Sequence, residues 1–307
     1  MNDEIFCPRP DVILRKEYFP GNIKENNFLK WYHRFLTILS RLLITKRNFI
    51  DYDGEFGIEL QIVIPYAYFL QRRGLLQETI SCLDTKCLYY FSENHCEKYK
   101  NRIPNNTFSK YRIPNNTVHT SQLNTAQWIA PPYKNIYSNS RFEWDREIVV
   151  IFNKYNIEWG GQPCNYLDIN ILESIVKLLS PRYQIIYNRP DNHHISDNGE
   201  ILDLKEKKLL KRCNNLTLFD DLNEKNPDLT FNTLQMMILA NCSKFISVQG
   251  GNAVLASYFG GENIIYTKRG RELWYGDYNH YPLYSGTRLY LCTDYNQLLE
   301  RIRKVFL

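Results

Sequence analysis

From residue 147 to its end, the chain alternates short apolar runs with amphipathic stretches, and this rhythm constrains the fold more than any other feature. It predicts strands over 148–152, 183–187, 216–219, 244–248, 263–266 and 288–292, separated by helices over 168–179, 204–211, 233–240 and 253–259 and followed by one over 296–306. Ile148, Val149, Val150, Ile151 and Phe152 form an apolar run that reads as the first of these strands. Alternating βα units imply a doubly wound parallel sheet with right-handed crossovers. Ligands of such sheets sit beyond the carboxyl ends of the strands, so the loops at 153–163, 188–194, 220–223, 249–252 and 267–272 are where function is expected.

One of these loops stands out. Phe245, Ile246 and Val248 form a strand-like run, Gly250 and Gly251 follow, and Val254, Leu255, Tyr258 and Phe259 recur at helical spacing. A glycine pair lets the backbone turn sharply and approach a ligand with no Cβ in the way, and Asn252 is the expected helix cap. The same pair also serves in a plain strand-to-helix connection packed for closeness. In the phosphate-cradling reading, N–H groups and the positive end of the helix dipole face a diphosphate.

The first half is less regular. An amphipathic helix is expected over 25–45, where Phe28, Trp31, Tyr32, Phe35, Ile38, Leu39 and Leu42 share a face. Strands follow at 49–52, 79–83 and 88–91, with a helix over 58–73 that has to accommodate Pro65 by a kink or a late start. Residues 96–141 are polar and carry Arg-Ile-Pro-Asn-Asn-Thr twice, at 102–107 and 112–117, which reads as a duplicated surface loop. The linker is placed near its end, giving domains at 1–141 and 142–307. The last helix is expected to pack back across the seam between them.

Composition removes several classes of function. Lys and Arg number 38 against 33 Asp and Glu, a net charge of +5, and no basic run is interleaved with aromatics, so nucleic acid is not an expected partner. The 8 cysteines lack CxxC or Cys/His ligand spacing, which argues for reduced core residues and against structural zinc. No stretch is long and apolar enough to span a membrane, and the start of the chain lacks a signal-peptide pattern; a cytoplasmic protein without a transmembrane segment is expected.

After the first strand come Asp53, Gly54, Glu55, Phe56, Gly57, Ile58 and Glu59, carboxylates framed by glycines at a helix start. A strand, Gly-x-Phe-Gly and a long apolar helix ending in Arg72, Arg73 and Gly74 resemble the first loop of fucosyltransferase-type glycosyltransferases of the GT-B architecture. The turn at Gly250 and Gly251 resembles the donor-phosphate loop of their second half. The Asn-Gln usual after the first-loop glycines is here Ile58 and Glu59.

The resemblance implies two Rossmann-like domains, a nucleotide-sugar donor on the second and a glycan or other hydroxyl acceptor entering from the first. Glu55, Asp53 and Glu59 are the candidate catalytic bases, with capping as the alternative for each. Asn153 and Lys154, at the carboxyl end of a strand, are candidates for the leaving diphosphate, as is the planar fork of Arg189, unless it pairs with Asp191 or Glu200. Gln249, Gly250, Gly251 and Asn252 complete the donor set, with Glu272 placed to accept from ribose hydroxyls. Lys268, Arg269 and Arg271 add charge or form a solvated turn, and His193 and His194 read as solvated. The expected activity is inverting sugar transfer to a hydroxyl that needs no cofactor or metal. The alternative is a non-catalytic nucleotide-sugar or glycan binding protein.

Overall fold

In the computed structural model, the structure describes residues 48–103, 113, 123, 125–157, 161–190, 201–270, 272–273 and 276–307. The expected helix at 25–45, most of both copies of the duplicated hexapeptide, Asp191, His193, His194, Glu200 and Arg271 lie outside the described residues.

Nine strands form two parallel sheets among the described residues. The smaller has three, β1 (Asn48–Asp51), β2 (Leu76–Cys82) and β3 (His95–Tyr99), side by side in chain order. The larger has six: β4 (Ile148–Phe152), β5 (Gln184–Asn188), β6 (Leu216–Leu218), β7 (Lys244–Val248), β8 (Glu262–Tyr266) and β9 (Arg288–Cys292). Their spatial order is β6-β5-β4-β7-β8-β9, so the chain winds outward from β4 in one direction, returns to β7 and winds outward in the other. This is the 3-2-1-4-5-6 order of a Rossmann-like doubly wound sheet, and the order reverses between β4 and β7.

The four inner strands of the larger sheet, β5, β4, β7 and β8, bury both faces, which is why their sequence signal is strong. On β4, Ile148, Val150 and Phe152 join one apolar cluster while Val149 and Ile151 join another. The second cluster includes α4 (Ile169–Leu179) and α9 (Tyr295–Phe306), through residues such as Ile171, Ile175, Leu298 and Ile302. The last helix therefore packs on the far face of the larger sheet and not, as expected, across the seam. The first cluster runs without a break from Ile50, Val63 and Leu70 to Leu234 of α7 (Phe231–Ala240) and Val254 of α8 (Gly251–Ser257).

In the first half, the helix expected over 58–73 begins earlier, at Phe56. It runs as α1 (Phe56–Ile58), a π-helical turn (Glu59–Val63) and α2 (Ile64–Arg72). Pro65 sits in the first turn of α2, where the missing N–H costs least. The wide turn exposes carbonyls that other parts of the chain take up: the Trp128 indole donates to the Gln61 carbonyl at 2.8 Å and the Tyr258 hydroxyl to that of Leu60 at 2.5 Å.

The aromatic run expected as a strand at 88–91 is a set of turns started by Thr85, whose carbonyl accepts from the N–H groups of Leu88 and Tyr89. Leu88 and Tyr89 are buried as core residues, and the third strand is the polar His95–Tyr99, half exposed in alternation as an edge strand is. Between the sheets lies α3 (Tyr133–Tyr137). In the second half, α5 (Lys207–Leu210) is shorter than expected, and α6 (Phe219–Lys225) fills what the sequence suggested was a loop.

Candidate active site at the strand-order reversal

The carboxyl ends of β4 and β7 flank the point where the sheet reverses direction, and two candidate groups meet there. Lys154 is the second residue after β4, and Gly250 the second after β7. A Cβ built on Gly250 would lie 3.5 Å from Nζ of Lys154, so the ammonium stands directly over the glycine. Gly250 has φ of +136°, which a side chain would strain, and it is the residue that caps α8. Asn252, expected as the cap, lies inside the first turn of the helix. The carbonyl of Gly250 accepts from Ala253 and Val254, leaving the N–H groups of Gly251 and Asn252 ahead of the helical ladder.

The loop after β1 closes the other side. A Cβ on Gly251 would come within 2.7 Å of Cδ1 of Phe56, and one on Gly57 within 3.7 Å of the Gly251 Cα. The acidic loop of the smaller sheet and the glycine turn of the larger are thus in direct contact. Of its three carboxylates, Glu55 is exposed and Asp53 half-buried. Glu59 is wholly buried: it pairs with Arg102 at 2.6 Å and accepts from Ser81 and, at 2.8 Å, from the Tyr89 hydroxyl. Burial and the charge of Glu59 hold the Tyr89 phenol well above its ordinary pKa, so it stays a donor. Glu59 is thereby turned away from any solvent-borne hydroxyl.

Several candidates for donor contact are instead tied up inside the protein. Asn153 donates to the Leu167 carbonyl at 2.9 Å and to the Tyr187 hydroxyl at 3.0 Å, and accepts from the Leu167 N–H at 2.8 Å. It anchors the loop that leads to α4. Arg189 is engaged within the protein: its Nε donates to Glu206 at 2.5 Å, and Asp203 lies 3.8 Å from Nη2. The alternative partners Asp191 and Glu200 lie outside the described residues. A backbone bridge between Asn156 and Ile201 brings the 201–206 segment over the ends of β4 and β5, and Glu206 enters the core with it. Burial works against the Arg189 charge, but Glu206 more than offsets it and raises the pKa above the usual guanidinium value.

Gln249 is also engaged. Thr267 donates to its Oε1 at 3.1 Å, and its Nε2 donates to Glu272. The amide fills the space in which a Cβ on Gly270 would stand, 2.0 Å from Nε2. Glu272 thus holds Gln249 at the base of the glycine turn. Lys268 and Arg269 are exposed on the rim, and their N–H groups donate to Asn165 at 2.9 and 3.2 Å, which ties the loops after β4 and β8 together.

The geometry brings Lys154, Gly250, Gly251, Phe56 and Gly57 together, with Glu55 and Asp53 on the adjoining loop. It separates Glu59, Asn153 and Arg189 from them as structural residues. Arg102 and Glu206 escaped the reading of the sequence, since a partner that is distant along the chain leaves no local pattern. Among the described residues no cluster of three or more His, Cys, Asp or Glu side chains is arranged to hold a metal ion, and no helix is long and apolar enough to cross a membrane. The chain matches no protein-family model, no curated protein and no solved structure.

Proposed function

We propose that the protein transfers a sugar from a nucleoside diphosphate donor to an acceptor hydroxyl, with the donor phosphates at the strand-order reversal and the acceptor entering beside the loop after β1. The observation that carries this reading is the placement of the Lys154 ammonium over Gly250, at the one point of a 3-2-1-4-5-6 sheet where such folds receive phosphates. A glycine there admits an anionic oxygen that a side chain would exclude. The ammonium, with the N–H groups at the start of α8, would stabilise the charge on a departing diphosphate.

The two-sheet arrangement is read as GT-B-like, with each sheet turning loops at its carboxyl edge toward the other. Of the carboxylates on the first loop, Glu55 is the proposed base and Asp53 the second choice, since Glu59 is spent on Arg102. A base on the side opposite the leaving group suits direct displacement with inversion. In this reading Lys154 supplies the charge that a bound metal supplies in other sugar transferases.

The test is a thermal-shift and calorimetric panel of nucleoside diphosphates and their sugars, followed by donor hydrolysis with and without EDTA. A ligand specific to the native state raises its apparent stability, and the free nucleoside should do so far less than the diphosphate. Absence of binding across the panel would defeat the proposal. Tight binding with no turnover of any donor would leave the non-catalytic binding protein.

A further inference from the structure

We infer that Arg102 is the positioning residue of the 53–57 loop, fixing where that loop meets the glycine turn; its consequence for turnover rests on the function proposed above. Arg102 is only 5% exposed, and its guanidinium reaches both the loop and the buried carboxylate behind it. Nη1 donates to the Gly54 carbonyl at 2.8 Å, Nη2 pairs with Glu59 at 2.6 Å, and the guanidinium carbon lies 5.0 Å from the centre of the Phe56 ring. The next residue, Ile103, adds a backbone donation to the Asp53 carbonyl at 2.7 Å.

The contacts line up as a chain across the molecule. Ser81 on β2 and Tyr89 in the turns beyond it donate to Glu59, and Glu59 holds Arg102. Arg102 then holds Gly54 and Phe56, and Phe56 covers Gly251. Exposed Glu55 lies between the two residues that Arg102 grips, so its position is set by a group it need not touch.

An ion pair buried this deeply is a poor way to gain stability, because desolvation consumes most of the Coulombic attraction and apolar residues of similar volume do as well or better. What it gives is direction. The planar fork of arginine engages a carbonyl and a carboxylate in fixed directions while its flat face stacks on a ring, whereas the ammonium of lysine is a point charge with rotatable donors and fixes no such geometry.

The experiment compares wild type, Arg102→Lys, and the double variant Arg102→Met with Glu59→Gln, which leaves no unpaired buried charge if the single variant folds poorly. Amide hydrogen exchange is followed over 53–58 and over 244–257, and binding is measured with GDP, UDP, CDP and ADP. Exchange over 53–58 should quicken on the order of tenfold or more with 244–257 unchanged, corresponding to local opening. Diphosphate Kd should stay within about twofold of wild type, while kcat for the matching nucleotide sugar falls on the order of 10²-fold, the usual effect of a reacting group misplaced by about 1 Å.

Wild-type exchange over 53–58 in both variants overturns the inference, and so does uniform acceleration across the fold, which would make Arg102 a stabilising residue only. Full turnover in Arg102→Lys overturns its catalytic consequence. Failure of wild type to bind any diphosphate removes the proposed function instead, while the exchange pattern still decides whether Arg102 holds the loop.

Discussion

Nε of Arg189 donates to Oε1 of Glu206 at 2.5 Å, with the two side chains 6% and 1% exposed. Tyr187 donates to the same oxygen at 3.1 Å, and Asn153 donates to Tyr187, so the ends of β4 and β5 are joined by a buried polar chain. The residue that chain position alone would nominate for phosphate contact is a piece of internal scaffolding.

Removing one partner of such a pair strands the other charge in the core. Glu206→Ala should therefore cost about 3–5 kcal/mol in urea unfolding, whereas Arg189→Met with Glu206→Leu should recover most of that loss. In the folded double variant, nucleoside diphosphate affinity should equal that of wild type. A large loss of affinity there would return Arg189 to the phosphate site.

Lys154 and Gly250 are predicted to fail in different ways. Lys154→Ala should weaken nucleoside diphosphate binding by roughly 1.5–3 kcal/mol, the range for a hydrogen bond to a charged group, with little change for the nucleoside. Gly250→Val places a branched side chain at a φ of +136° and against the ammonium, so it should abolish diphosphate binding in a protein that still folds. Calorimetry with both ligands decides: equal losses for diphosphate and nucleoside in Lys154→Ala would mean that the lysine is structural.

The contrast between legible and illegible parts has a physical cause. The larger sheet could be read because its inner parallel strands are covered on both faces and write apolar runs, unbroken in Ile148–Phe152. β3 could not, because His95–Tyr99 is a polar edge strand, while the more strand-like Leu88 to Phe91 is drawn into turns by core burial of its rings. Pro65 announced a disturbance in its helix but not the π-helical turn that absorbs it. At the site, the glycine turn and Lys154 were legible from their places after strands, whereas Arg102 was hidden in a duplicated polar stretch and Glu206 in a segment folded back by the Asn156 bridge.

His95 gives the fold a pH dependence with a definite sign. Its Nδ1 lies 2.8 Å from the Thr79 hydroxyl and its Nε2 3.1 Å from that of Thr85, and its ring stacks on Tyr89 at 4.8 Å. Burial lowers its pKa below the ordinary 6.5; Glu97 and Glu59 oppose the shift and Lys86 adds to it. The unfolded chain then binds more protons than the native one below about 6.5, so this contribution is intact above that pH and is lost as the pH falls through the lowered native value. Between pH 7.5 and 5.5, wild type should lose more stability in urea than His95→Gln. A relative gain for wild type on acidification would show that the imidazolium, donating to both threonines, is the native form.

The strongest test of the chemistry falls on Glu55. It is exposed, stands between Gly54 and Phe56 on the loop that touches Gly251, and is the carboxylate best placed to meet an incoming hydroxyl. Glu55→Gln keeps the shape and removes the proton acceptor, so donor affinity should persist while kcat falls by roughly 10²–10⁴, the usual share of general base catalysis. Asp53→Asn should have a smaller effect, since Asp53 is half-buried and its carbonyl accepts from Ile103. Glu59→Gln should act on stability through Arg102 before it acts on the reaction. The measurements are sugar transfer, or slow donor hydrolysis where no acceptor is known, each repeated in EDTA. Full activity in both Glu55→Gln and Asp53→Asn would remove the loop from the chemistry, and complete loss in EDTA would show that Lys154 does not carry the leaving-group charge alone.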